Sequence, residues 1–208
     1  MNTRHRTSIT IAWMMISLSA QAGDSISQTK GIVFSKIANN GTVLADSATL
    51  GSAPGDWGCT RHNGSGLIFE VKVATPSSLR NAASTYSWLN NSAASNGGVA
   101  GTANGGTCTG SACDTQSYVA AVNASGLCGS SAWRLPTGRE LQLVLGSAAT
   151  GTGVPVADQN YFPNMSTGAY WTGTNFAANP QAAWAVAFDD GRAAWRGKDS
   201  SLRILVVR

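Results

Sequence analysis

The chain has 208 residues, with 14 lysines and arginines against 10 aspartates and glutamates. That is room for one domain of ordinary size plus a short targeting segment. The net charge of +4 falls to 12 − 10 = +2 once the two arginines of residues 1–22 are set aside, so bulk charge gives no support to nucleic-acid binding.

Residues 1–22 carry the three parts of a secretory signal: Arg4 and Arg6, an apolar core from Ile9 to Leu18, and the A-x-A site Ala20-Gln21-Ala22. The apolar run is about half of the 20 or so residues that span a bilayer. A cleaved signal peptide is therefore expected, with Gly23 as the mature N-terminus. No cysteine follows the site and residues 23–208 hold no other long apolar run, so neither a lipid anchor nor stable membrane insertion is expected. The mature protein is expected to be extracytoplasmic: periplasmic, at the cell surface or secreted.

Residues 23–56 are rich in Ser, Gly, Ala and Asp around one short apolar stretch, Ile32-Val33-Phe34, which reads as an edge strand. Asn39-Asn40-Gly41 is a turn signal. Leu67 to Val73 reads as a strand, with Leu67, Phe69, Val71 and Val73 on one face. Residues 91–112 are almost entirely Asn, Ser, Ala, Gly and Thr, too poor in apolar area to order themselves, and predict a long surface loop.

Two helices are expected next. Asp114 is a good N-cap, and Tyr118, Val119 and Val122 recur at helical spacing up to Gly126. Thr137-Gly138-Arg139-Glu140 is a capping box, in which threonine and glutamate each satisfy the other's exposed amide. Leu141, Val144 and Leu145 then face the core, and Gly146 ends the second helix. Beyond Tyr161 the pattern turns to strands: Tyr170 to Thr174, Trp184 to Phe188, a hairpin turn at Asp189-Asp190-Gly191, Arg192 to Arg196, and Leu202 to Val207. Two helices followed by an antiparallel sheet make an α+β domain. Trp133, Leu135, Leu141, Trp171, Trp184 and Phe188 are the expected core.

The four cysteines of an exported chain read as two disulfides. The expected pairing is Cys59–Cys128, joining the early strand region to the end of the first helix, and Cys108–Cys113, closing a small loop beside Asp114. No C-x-x-C pair and only one histidine, His62, follow residue 22, so neither a metal centre nor another cofactor is expected.

The segment Trp133-Arg134-Leu135-Pro136-Thr137-Gly138-Arg139-Glu140-Leu141 resembles the W-R-L-P-T-x-x-E-L core of the Lcl C-terminal-domain family, named for a bacterial collagen-like adhesin. Cys59-Thr60-Arg61, Ser65-Gly66-Leu67 and Phe69-Glu70 precede it in the family's order, as does the loop Gly105 to Asp114. Tyr161 to Asn164, Tyr170 to Thr174, Ala183 to Val186, Phe188 to Gly191 and Val206 to Arg208 follow. The likeness covers about residues 31–208, leaving residues 23–30 as an N-terminal extension. It implies a C-type-lectin-like α+β fold with paired terminal strands and long loops on one side. It also implies an envelope or surface protein, often adhesive; in the named adhesin the domain binds sulfated polysaccharides. The chain has no Glu-Pro-Asn, Gln-Pro-Asp or Trp-Asn-Asp, which speaks against calcium-dependent sugar binding.

Catalysis is hard to assemble from these residues. His62 has no nucleophile motif beside it. Glu70 and Glu140 are the one carboxylate pair of glycosidase type, but Glu140 is explained as a capping residue and Glu70 as a strand residue bonded to a neighbour. Formylglycine-generating enzymes share the lectin-like fold and use paired thiols, whereas these cysteines read as structural. Asp189, Asp190 and Asp199 show no calcium-loop spacing. The expected contact residues are Arg192, Arg196, Lys198 and Arg203, whose charged groups suit sulfate and carboxylate, with Trp195 stacking on a sugar. Alternation along a strand puts Arg192 and Arg196 on one face and Trp195 on the other, which makes the tryptophan the weakest member. A glycan ligand and an envelope protein partner are both compatible with these features, as is a homo-oligomer.

Overall fold

The computed structural model describes residues 33–146 and 156–208. The signal peptide, the 23–30 extension and the Ile32 end of the first expected strand lie outside the described residues. Two three-stranded antiparallel sheets and two helices make an α+β architecture. The first sheet has the order β1 (Phe34–Ala38), β2 (Trp57–His62), β3 (Ile68–Glu70). Helix α1 (Thr115–Ser125) and helix α2 (Gly138–Gln142) follow. The second sheet is β4 (Ala169–Asn175), β5 (Ala182–Ala187), β6 (Ala193–Gly197), in chain order.

Local chemistry sets the helix ends. The Asp114 carboxylate accepts from the Ser117 amide at 2.8 Å, and Gly126 stops α1 in the left-handed region at φ 62°. The capping box of α2 is complete: Glu140 N donates to Thr137 Oγ1 and Thr137 N donates to the Glu140 carboxylate. Helix α2 ends at Gln142, about a turn before Gly146, and Leu141 and Val144 are buried as expected. The β5–β6 connection turns at Gly191, φ 75°, with Ala187 N bonded to Arg192 O.

The C-terminal segment 202–208 joins the sheets. Its first residues exchange backbone bonds with Tyr86 on one side and with Ala169 and Trp171 of β4 on the other. Its last residues pair with Ile68 and Glu70 of β3 and with Arg134. Leu205 and Val207 enter a core with Phe34, Phe69, Leu141 and Phe188, while Ile204 and Val206 enter a second core with Tyr86, Tyr118, Val122 and Trp133. An unbroken apolar run fits a segment covered on both faces. A third cluster sets Trp88 and Trp171 against Ala183 and Ala185.

Four sequence expectations change. There are two sheets rather than one, because Trp57–His62 is a central strand with Gly58 and Cys59 in place of alternation. His62 is consequently a strand end as well as the start of a turn. The strand expected over 67–73 narrows to three residues: the Val71 amide still donates to the Gly58 carbonyl of β2, but the Val71 carbonyl accepts from the Arg80 guanidinium instead of continuing the ladder. Among the described residues β1 pairs with β2 and the C-terminal segment with β3, rather than the two terminal strands with each other as a lectin-like fold implies. Finally, Leu135 and Trp184 are only partly buried, because α2 is too short to cover the Trp184 end of the sheet.

Both disulfides form as expected, Cys59–Cys128 across 69 residues and Cys108–Cys113 across five. Chain entropy assigns about 4 kcal/mol to the first and about 2 kcal/mol to the second.

The face assignment predicts unequal tryptophans. Trp171 is fully buried with its indole N–H on the Tyr86 carbonyl at 2.7 Å, so Trp171→Ala should cost ~3–5 kcal/mol. Trp184→Ala should cost under about 2 kcal/mol, because half-buried surface returns less on burial. Urea unfolding of the two variants measures this, and equal losses would contradict the assignment.

Candidate functional site

The expected contact residues cluster on the β5–β6 hairpin and the segment after it, and the structure separates them. Arg192 sits just after the turn, its side chain 86% exposed and 3.6 Å from the Asp190 carboxylate. Arg196 is exposed and reaches the Trp195 carbonyl at 2.9 Å. The strand register pairs Arg196 with Ala183, whose side chain enters the buried Trp88–Trp171 cluster, and pairs Trp195 with Trp184 on the opposite face. Trp195 therefore does not join Arg196, as alternation requires.

Lys198 leaves the surface patch. It is 2% exposed, its ammonium donates to Asn96 O at 2.8 Å and Val99 O at 2.6 Å, and it lies 4.3 Å from the Trp88 ring centre. A run of basic residues near the chain end reads as surface charge, yet this ammonium fastens the polar 91–112 loop. The loop is thus ordered by captured carbonyls rather than by apolar burial: Ser95 O receives the Asn175 amide, and Thr102 O the Ser87 hydroxyl. Arg203 is partly buried, its backbone in the ladder with β4. Of the five residues, Arg192, Trp195 and Arg196 are exposed to solvent.

On the Trp195 face lies an aromatic group that sequence reading did not assemble. Phe176 stacks on Trp195 with centroids 5.6 Å apart and planes 8° from parallel, and meets Trp184 edge-on at 5.3 Å. Trp195 remains 51% exposed. Beside it a groove of about 510 Å³ runs between β4–β6 and the start of α2, lined by Thr137, Arg139, Thr172, Thr174, Trp184 and Ala193 among others. Phe176 is the one aromatic between β4 and β5, but nothing in the sequence alone places it on Trp195. The alternation of Trp184, Val186 and Phe188 shows that they share a face but not where the cover on that face ends.

The two candidate acids are held in structural roles. Glu70 is fully buried, 2.9 Å from Lys72 Nζ, and accepts from the Tyr118 hydroxyl and from Val206 N. Burial pushes the Lys72 ammonium below its ordinary range with Glu70 opposing, and burial together with the Glu70 charge pushes the Tyr118 phenol well above its own. Glu140 takes a bidentate grip from Arg134 at 2.7 and 2.8 Å as well as the Thr137 amide. All four cysteines are in disulfides, Cys59 with Cys128 and Cys108 with Cys113. No group of three or more His, Cys, Asp or Glu among the described residues could hold a metal ion.

A family model described as the Lcl C-terminal domain matches residues 58–208. No curated protein and no solved structure matches the chain.

The Arg134 hydrogen bonds, followed by the Thr137 amide and the Arg134 charge, outweigh burial and hold the Glu140 carboxyl down at about 2. A lowered carboxyl contributes stability above its unfolded value near 4.5 and loses it as pH falls toward 2. Glu140→Gln should therefore cost about 1 kcal/mol at neutral pH, discounted because the pair is part-exposed. The difference from wild type should shrink between about pH 4.5 and 2; urea titrations at three pH values measure it, and a gap constant with pH would contradict it.

Proposed function

Because the chain belongs to the Lcl C-terminal domain family, we propose that it is a non-catalytic, surface-associated binding module of adhesin type whose ligand is a glycan. The family and the two disulfides suggest an extracytoplasmic location. No helix among the described residues is long and apolar enough to cross a membrane.

The observation that carries the reading is the β5–β6 hairpin. It presents Arg192, Trp195 and Arg196 to solvent, while Glu70, Lys72, Arg134, Glu140 and Lys198 are engaged with partners within the fold. Guanidinium forks match sulfate and carboxylate geometry, so an acidic or sulfated polymer contacts the hairpin through Arg192 and Arg196. With a net charge near +2 beyond residue 22, attraction depends on this local pair and on repetition across several copies. Lys198 has no part in the contact.

A second reading, a structural envelope or appendage subunit with a protein partner, is favoured by β6. Among the described residues no strand pairs with its outer edge, and such an edge is a template for strand addition.

Heparin retention tests the first reading. The wild type should elute at higher salt than an Arg192→Ala, Arg196→Ala double variant, with retention falling steeply as exposed charges are screened beyond ~8 Å at physiological ionic strength. Equal elution, or no retention at low salt, removes the arginine contact and leaves the protein-partner reading in front.

A further inference from the structure

The register that separates Trp195 from Arg196 also divides the charge. On the face of the second sheet that carries Trp195 the paired residues are Trp184 with Trp195 and the buried Val186 with Ala193, and the groove continues this face across Thr172 and Thr174 to α2. Only one of the groove's lining residues, Arg139, is charged. A polyanion needs several fixed cations, and a single guanidinium does not supply them. The face offers instead a large ring held in place before any ligand arrives, since Trp195 is stacked on Phe176 and Phe176 is braced edge-on by Trp184. Ordering such a ring costs little entropy on binding, because its position is fixed by packing.

We propose that this face is a carbohydrate site for an uncharged pyranose chain, with one sugar ring stacked on Trp195 and its neighbours lying in the groove along Trp184. The proposal rests on the reading that the module binds glycans, but it uses other residues than the arginine contact. A pyranose ring has an apolar face made by its axial C–H bonds and a rim of hydroxyls. The apolar face covers an indole, and the rim finds donors and acceptors at the groove edge. The Thr174 hydroxyl and the Arg139 guanidinium stand there with no hydrogen-bond or ion-pair partner among the described residues. The groove's volume of about 510 Å³ falls within the range of about 300–1,000 Å³ that ligand pockets occupy. Charge complementarity thus selects the occupant: cationic guanidinium on one side of the hairpin, an almost uncharged aromatic and hydroxyl surface on the other. Because no carboxylate lines the groove, binding needs no calcium.

The probes are cellohexaose, maltohexaose and chitohexaose, with a heparin hexasaccharide as the charged control. Each is titrated calorimetrically into the full chain at about 20 mM and about 500 mM NaCl, which moves the screening length well below ten ångströms. At least one neutral hexasaccharide should bind with an affinity that changes less than about twofold between the two salts, since no charge pair is involved. Trp195→Ala should weaken it about tenfold or more, as loss of a central aromatic anchor does. Phe176→Ala should weaken it in the same direction by freeing the ring, Trp195→Tyr should restore most of it, and the Arg192→Ala, Arg196→Ala variant should leave it unchanged. Trp195 is exposed, so its variants should keep the wild-type thermal midpoint to within about 2 °C. If heparin binds and no neutral chain does, the glycan reading stands and this proposal falls. If neither binds, both fall. If no saccharide binds while Trp195→Ala abolishes self-association in sedimentation, the face belongs to a second copy of the chain and the proposal is overturned.

Discussion

The fold depends on one buried carboxylate. Glu70 ends β3, and its side chain accepts from the Val206 amide at 3.0 Å while its own amide donates to the Val206 carbonyl at 3.1 Å. The C-terminal segment is thus clamped to β3 by side chain and backbone of the same residue. The second carboxylate oxygen takes the hydroxyl of Tyr118 from α1, and Lys72 completes the group by neutralising the charge and bonding that hydroxyl at 2.8 Å. A buried ion is costly unless paired and hydrogen-bonded, and here β3's continuation, α1 and the C-terminal segment each contribute a partner through Lys72, Tyr118 and Val206. The segment so fixed is the one whose earlier residues pair with β4, so Glu70 is one of the contacts that set where the second sheet, and with it the hairpin, lies.

Away from that seam, the molecule is held by polar fastenings suited to a chain poor in large apolar side chains. The indole N–H of each deeply buried tryptophan finds a backbone carbonyl: Trp57 on Cys59, Trp88 on Thr172, Trp133 on Leu127, Trp171 on Tyr86. Lys198 holds the loop through Asn96 and Val99, and the two disulfides fix β2 to the end of α1 and close the loop beside Asp114. The long Gly- and Ser-rich loop is thereby tied to the strands and to β6's continuation by hydrogen bonds, and the exposed hairpin rests on that frame.

Signals written in adjacent residues were legible in the sequence: the Asp114 cap, the Thr137–Glu140 box, the Asp190-Gly191 turn and the strand alternation in the second sheet. Both disulfide pairings followed from count, compartment and loop size. What escaped depends on residues far apart in the chain. Strand β2 has no alternation because Trp57 to Thr60 are all buried, so its pattern is indistinguishable from an irregular segment. Trp184 looked like core because periodicity marks a shared face without saying how far its cover extends. Lys198 looked like surface charge because its partners, Asn96 and Val99, lie about a hundred residues away in a loop whose composition carries no signal. Phe176 became informative only when the register brought Trp184 and Trp195 together.

The claim that a neutralised Glu70 holds the seam is tested most directly by the unfolding free energy of Glu70→Gln compared with Glu70→Gln, Lys72→Met. The account predicts that the single variant loses about 3–5 kcal/mol, because Lys72 is left as an uncompensated buried charge. The double variant should regain at least half of that loss, since removing the stranded ammonium removes the penalty. A single variant within about 0.5 kcal/mol of wild type, as for a surface substitution, or a double variant no better than the single, would contradict it.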